Sequence, residues 1–212
     1  MHACLPKLFA VLLFVAPAFG QVPAVDNRPD TFLGSVGQGL YKNDYFQFRL
    51  SIPPKMFVLT TGEVERFKAT GTGLLSTDVK GNRAAWEKAA GAEVILLSLA
   101  ENEPGAVAGP SLNVGVLRQP AGVTSKMVCD VAKDFVLLNP KFKVTTETIP
   151  IKVAGRDFSR LELALGIEGS VVYFRYYATI LRGHSVTFVI TYLKPEELAR
   201  FEKVLGTLEF FE

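Results

Sequence analysis

Alternation of apolar and polar residues sets out most of the strands of this chain. Phe46, Phe48, Leu50 and Ile52 fall on one side of a strand over Tyr45–Ile52, with Gln47, Arg49 and Ser51 on the other. With Leu40–Tyr41 and the turn residues Asn43–Asp44 this run predicts a hairpin. Pro53–Pro54 stops it, because proline cannot donate to a ladder. Met56–Thr61 predicts a short strand. Glu93–Ala100 is nearly continuous apolar, as in a strand covered on both faces, and Leu112–Leu117 is another. Lys141–Ile149 alternates. Phe158–Leu165, Val171–Leu181 and Ser185–Leu193 predict an antiparallel meander, joined at Gly166–Gly169 and Arg182–Gly183.

Helical spacing predicts two further elements. Ser125 can cap a helix in which Val128, Val131, Ala132, Phe135 and Leu138 recur, ended by Asn139–Pro140. Pro195 opens a second, with Glu196 and Glu197 in its first turn and Lys203 in its last, matching the helix dipole. Leu198, Phe201, Val204 and Leu205 form its buried stripe, Gly206 ends it, and Thr207–Phe211 closes the chain as a strand. Asn82 can cap a short helix through Ala90, and the stretch from 62 to 81 reads as irregular.

The meander decides the architecture. Tyr173, Tyr177, Val186, Phe188 and Ile190 share one face of the last two long strands; Val172, Phe174, Ala178, Ile180 and Val189 share the other. A sheet with one face in water does not carry apolar residues on both, so layers lie on both sides. The expected fold is α+β, a central antiparallel sheet with helices on both faces.

The N-terminus reads as an address. Lys7 precedes the apolar run Leu8–Val15 and the small-residue stretch Ala16–Gly20. Ala18 and Gly20 fit the −3 and −1 positions of a signal-peptidase site, leaving Gln21 as the new N-terminus; a second site follows Ala24. The uncharged run is shorter than the ~20 residues that span a bilayer. No later segment reaches spanning length, so a soluble exported protein, periplasmic or secreted, is expected. The domain plan is then signal peptide over 1–20, flexible lead-in over 21–38 and a single domain over 39–212.

Composition removes several function classes. The chain has 212 residues, 49% hydrophobic, with 16 Phe, enough to build a real core. Its 23 basic and 21 acidic residues leave a net charge of +2, without the footprint of a nucleic-acid binder. Removing residues 1–20 takes one basic residue and no acidic one, so the charge falls to +1, with Cys129 and His184 the only cysteine and histidine left. No internal disulfide is then possible.

The remaining chemistry is sparse. One histidine excludes His-rich metal sites and two-histidine mechanisms; His184 reads as a turn residue and Cys129 as a packed thiol on the flank of its helix stripe. Asp130 and Asp134 share a helix face with Lys126 and Lys133, which reads as a solvated, charge-paired surface. Glu101 and Glu103 flank a strand end without a second carboxylate pair. Gly71-Thr72-Gly73 lacks the third glycine of a phosphate cradle. Arg156, Arg160, Arg175 and Arg182 are scattered through the meander, with Glu162 a cross-strand partner for Arg175. No catalytic residue, metal site or cofactor is expected.

The run Gly39, Tyr41, Asn43, Tyr45, Phe46, Phe48 and Pro53, with Ile151 to Phe158, the meander and the closing L-G-T-L-E-F, resembles the PsbP-like superfamily over about residues 39–211. That resemblance implies an α/β/α sandwich. Its characterised members mostly bind other proteins and share no catalytic centre, and no functional residue carries over.

Two functions follow as expectations. The first is a non-catalytic exported accessory module engaging another envelope or extracellular protein through an aromatic patch of Tyr173, Tyr177 and Phe188, provided their cover is incomplete. The second is a carrier of a small ligand or lipid in an apolar cavity. Export itself is checked by intact-mass and N-terminal analysis of chain secreted by an export-competent host. Gln21 is the expected first residue; retention of Met1 in the membrane fraction would indicate an uncleaved anchor.

Overall fold

The computed structural model of the chain describes residues 30–66, 93–103, 109–167 and 169–212. Two antiparallel sheets and the helices packed on them make up this part of the molecule. The strands in chain order are β1 (Ser35–Gly37), β2 (Leu40–Asn43), β3 (Phe48–Ser51), β4 (Phe57–Val58), β5 (Val94–Ala100) and β6 (Ser111–Arg118). After helix α1 (Ser125–Val136) come β7 (Phe142–Val153), β8 (Arg156–Ile167), β9 (Ser170–Leu181) and β10 (His184–Tyr192). Helix α2 (Pro195–Leu205) and β11 (Glu209–Phe210) complete the order.

The central sheet has seven strands in the order β4-β5-β6-β10-β9-β8-β7; the smaller sheet runs β1-β2-β3-β11. Register in the meander is as the alternation demands: Phe188 lies opposite Tyr177, and Glu162 opposite Arg175. One core joins the α2 face of the large sheet to the small sheet, through Phe48, Leu50, Tyr177, Phe188, Ile190 and Phe201. The other lies under α1, built from Cys129, Val136, Leu161, Phe174 and Val189 among others. The chain therefore has the α+β sandwich expected from its two-faced strands.

Local chemistry explains the ends of the helices. The α2 start is held by Glu197, whose carboxylate accepts from the N–H groups of Leu193 (2.7 Å) and Lys194 (3.1 Å). Its buried residues are the four of the predicted stripe. The cap of α1 is Thr124, one residue before the expected Ser125, and its hydroxyl accepts from Met127 N–H at 3.3 Å. Its buried line is Cys129, Ala132 and Val136, about one position off the expected stripe, and Leu138 is 47% exposed. Cys129 is therefore central to that packing and not on its flank.

The folded domain begins before residue 39. A 3-10 turn over Asp30–Phe32 and strand β1 fall within the expected lead-in, and Phe32 is 5% exposed in the core. The motif residues Tyr41 and Asn43 make this happen. Asn43, fully buried, donates from Nδ2 to Phe32 O and to the Tyr41 hydroxyl, each at 2.9 Å, and its Oδ1 accepts from Phe46 N–H at 2.8 Å. Tyr41 in turn donates to Leu33 O at 2.8 Å. Gly34, at φ +71°, lies so close that a Cβ there would stand 2.6 Å from Lys42 O.

Other boundaries move modestly. Strand β7 runs on to Val153 through Pro150, which an edge strand tolerates, and β4 is only two residues long. Residues 61–66 are helical, where the end of a strand at Thr61 and irregular structure from 62 are expected. The predicted leader, the helix over 82–90 and Gly71-Thr72-Gly73 lie outside the described residues.

Replacing Asn43 by Ala strands a buried N–H and a buried carbonyl, which should lower unfolding free energy by about 3 kcal/mol. Urea unfolding measures this; a loss near zero would show that the buried network does not hold the N-terminal turn.

Candidate functional site

The aromatic patch expected from the sequence is mostly covered. Phe188 is fully buried and Tyr177 is 5% exposed, both beneath the α2 and small-sheet layer. Tyr173 alone of the three reaches the surface in part, stacked on Tyr192 with ring centroids 5.4 Å apart. Beside it Arg175 pairs with Glu162 (3.1 Å) and with Glu202 of α2. The Tyr177 hydroxyl donates to the same Glu202 oxygen at 3.0 Å. Burial, reinforced by the nearby Glu202 charge, pushes the Tyr177 phenol up to about 12. The cross-strand Glu162–Arg175 pair predicted from the sequence is present, and it helps tie α2 to the sheet.

The lone thiol and the lone mature histidine lie apart. Cys129 packs under α1 with its sulfur 3.6 Å from Ser159 O, and burial pushes it up to about 12, the range of an inert thiol. His184 sits at the start of β10 in an aromatic box of Phe32, Tyr45 and Phe46, with ring centroids 5.7, 6.1 and 5.4 Å away. Its Nδ1 lies 2.9 Å from Arg182 O. These are separate cores, so no Cys–His nucleophile pair forms.

Two of the candidate acids, Asp130 and Glu101, are paired. Asp130 pairs with Lys126 one turn away, and Glu101 receives two bonds from Arg200, at 2.5 and 2.7 Å. Among the described residues no group of three or more His, Cys, Asp or Glu could hold a metal ion, and no helix is long and apolar enough to cross a membrane. On the α1 side of β5, β6 and β10 lies a strip of buried polar side chains that the sequence reading passed over. Ser98 donates to Asn113 at 2.6 Å, and Thr187 donates to Glu93 at 3.2 Å. They hide in runs that read as apolar, because small polar residues at alternate positions barely disturb such a pattern.

Among the described residues, a concavity lies elsewhere. A cleft of about 910 Å³ opens between the end of β3, the Pro53–Met56 turn and the last two turns of α2. Ile52, Met56 and Val204 give it an apolar floor, and Pro53 and Pro54 form one wall. Lys55, Arg200 and Lys203 stand around it as cations, with Glu101 as the one acid. Its volume is within the range of about 300–1,000 Å³ common for small-molecule sites. The sequence marked its parts separately, as a strand stop and a helix stripe. Only the packing of α2 against β3 joins them.

This geometry, two covered faces on a seven-stranded antiparallel sheet with a small sheet and α2 closing one side, is the PsbP-like fold. The chain is similar to the solution structure of cyanobacterial PsbP (CyanoP) from Synechocystis sp. PCC 6803. The two are 13% identical, with 84% of this chain and 96% of that one covered and a TM-score of 0.53. Weaker likenesses are to LpqN, involved in cell envelope biogenesis of Mycobacterium tuberculosis (10% identity, 78% and 83% covered, TM-score 0.46), and to the Saccharomyces cerevisiae Ran-binding protein Mog1p (9%, 83% and 96%, 0.44). No family model matches the chain, and no curated protein matches it.

Burial lowers the His184 pKa from its ordinary 6.5, helped by repulsion from Arg118, while the bond to Arg182 O opposes it. The unfolded chain therefore binds this proton first, and stability drops as pH falls below about 6.5. An NMR titration of the imidazole should give a midpoint below 6.5, and His184→Phe should flatten that limb of the stability curve. A midpoint above 6.5 would contradict the burial described.

Proposed function

We propose that this chain is an exported, non-catalytic binding module, and that the cleft between β3 and α2 is where it binds a small apolar ligand. The observation that carries the reading is the cleft itself: a large concavity with an apolar floor and a few polar groups on its margin. The separation of Cys129 from His184 and the engagement of Glu101 by Arg200 support a binding role over a catalytic one. The leader read from residues 1–20 supports export. The PsbP-like fold agrees with such a role without assigning it.

A second reading, engagement of another envelope or extracellular protein, is favoured by the Tyr173–Tyr192 stack beside Arg175. Aromatic and arginine side chains of this kind carry much of the energy of protein interfaces. With Tyr177 and Phe188 buried, that surface is narrower than the three-residue patch expected from the sequence.

The cleft reading is tested with Nile red, a neutral apolar dye. Its emission should rise on mixing with the native full chain. Ser51→Trp places an indole on the cleft wall at an exposed strand position, and should abolish that rise without moving the thermal midpoint. Absence of any rise with the unaltered chain would remove the reading.

A further inference from the structure

Resting on the cleft reading, we propose that the occupant is a free single-chain amphiphile with an anionic head, of which a long-chain carboxylate is the simplest example. Its alkyl chain lies along Pro53, Pro54 and Met56, over the buried Ile52 and Val204, and its head is held at the margin by Lys55 and Lys203.

Three observations carry the inference. The first is charge. Among the described residues Lys55 and Lys203 have no carboxylate partner, whereas the third cation, Arg200, is already engaged by Glu101 in two hydrogen bonds. The cleft margin thus holds two uncompensated positive charges on a chain whose net charge is only +2. An anionic head supplies the missing partner.

The second is the state of the backbone. Ser51 N–H is taken by the Thr207 hydroxyl (2.9 Å), Ile52 N–H by Gly39 O (2.7 Å) and Met56 N–H by Pro53 O (3.0 Å). Pro53 and Pro54 have no N–H to give. A peptide docking here by strand addition would find almost no donors, since that mode gains its affinity from main-chain hydrogen bonds. An alkyl chain needs none.

The third is shape. The apolar residues line a concavity and not a flat face, and the near-neutral chain lacks the broad basic surface that holds proteins on anionic membranes. A single molecule free in solution fits this better than a bilayer.

The experiment is displacement of Nile red from the full chain by hexadecanoate and by hexadecan-1-ol, which differ only in the head. Hexadecanoate should bind about tenfold more tightly, the amount two exposed ion pairs can supply. The preference should shrink as salt shortens the Debye length from about 10 Å to about 3 Å. Lys55→Glu with Lys203→Glu, both at exposed positions, should remove the preference and leave alcohol binding in place, with the unfolding midpoint lowered only slightly by the lost helix-dipole contribution of Lys203. Equal binding of acid and alcohol, or a preference that survives the double charge reversal, would overturn the anionic head while the dye still reports an apolar cleft. Sedimentation with anionic phospholipid vesicles that hexadecanoate does not relieve would overturn the free ligand in favour of a membrane surface. Failure of Nile red to bind at all would take the cleft reading and this proposal down together.

Discussion

Burial of β9 and β10 on both faces is the constraint from which the rest of the molecule follows. Phe174 and Val189 must be covered on one side, Tyr177, Phe188 and Ile190 on the other. Left open to water on either face, each of these large side chains forgoes about 1.5–3 kcal/mol. Among the described residues α1 answers this on the first face, over β7, β8 and β9. On the second face the demand is met jointly, by α2 and by the sheet built from both ends of the domain. The β3–β11 pairing, with Phe48 opposite Phe210, is what brings those ends together.

That shared cover explains why the polar network around Tyr41 and Asn43 is so fully bonded. The small sheet has no broad second face to bury, so its N-terminal turn is positioned by hydrogen bonds and not by apolar area alone. The motif residues that carry the family resemblance are thus architectural. They mark the fold and say nothing of a ligand, which is why a correct fold reading left the site unassigned. The same economy shows in Arg175, whose two acidic partners come from β8 and α2 and hold the helix to the sheet.

A cover assembled from two pieces leaves a seam. The cleft lies along it, where β3 ends at Pro53–Pro54 beside the last turns of α2. Its apolar floor belongs to the larger core, with Ile52 and Val204 buried in that core and Met56 packed against it. The cleft is therefore a by-product of how the layers meet, with Lys55 and Lys203 on its margin. By contrast the long edge strand β7 is guarded against pairing by register shifts near Val144–Ile149, by Pro150 and by Lys143 and Lys152. The molecule offers a concavity more readily than an edge.

Much of this was determined by the sequence alone. Period-two alternation located the meander and assigned its two faces, because a side chain's direction in a strand depends only on its position. Helical spacing with Pro195, Glu197 and Gly206 located α2 and its four buried residues, because those signals are local. The lead-in over 30–38 was misread because its order comes from Asn43, eleven residues from the carbonyl it holds. The stripe of α1 slipped because Cys129 and Val136 are chosen by the sheet beneath and not by the helix. Whether Tyr177 and Phe188 were covered, and whether Pro53, Lys55 and Lys203 faced one cleft, depended on residues about 150 apart in the chain meeting across β3 and α2. No periodicity encodes such a meeting. Only tertiary packing decides it.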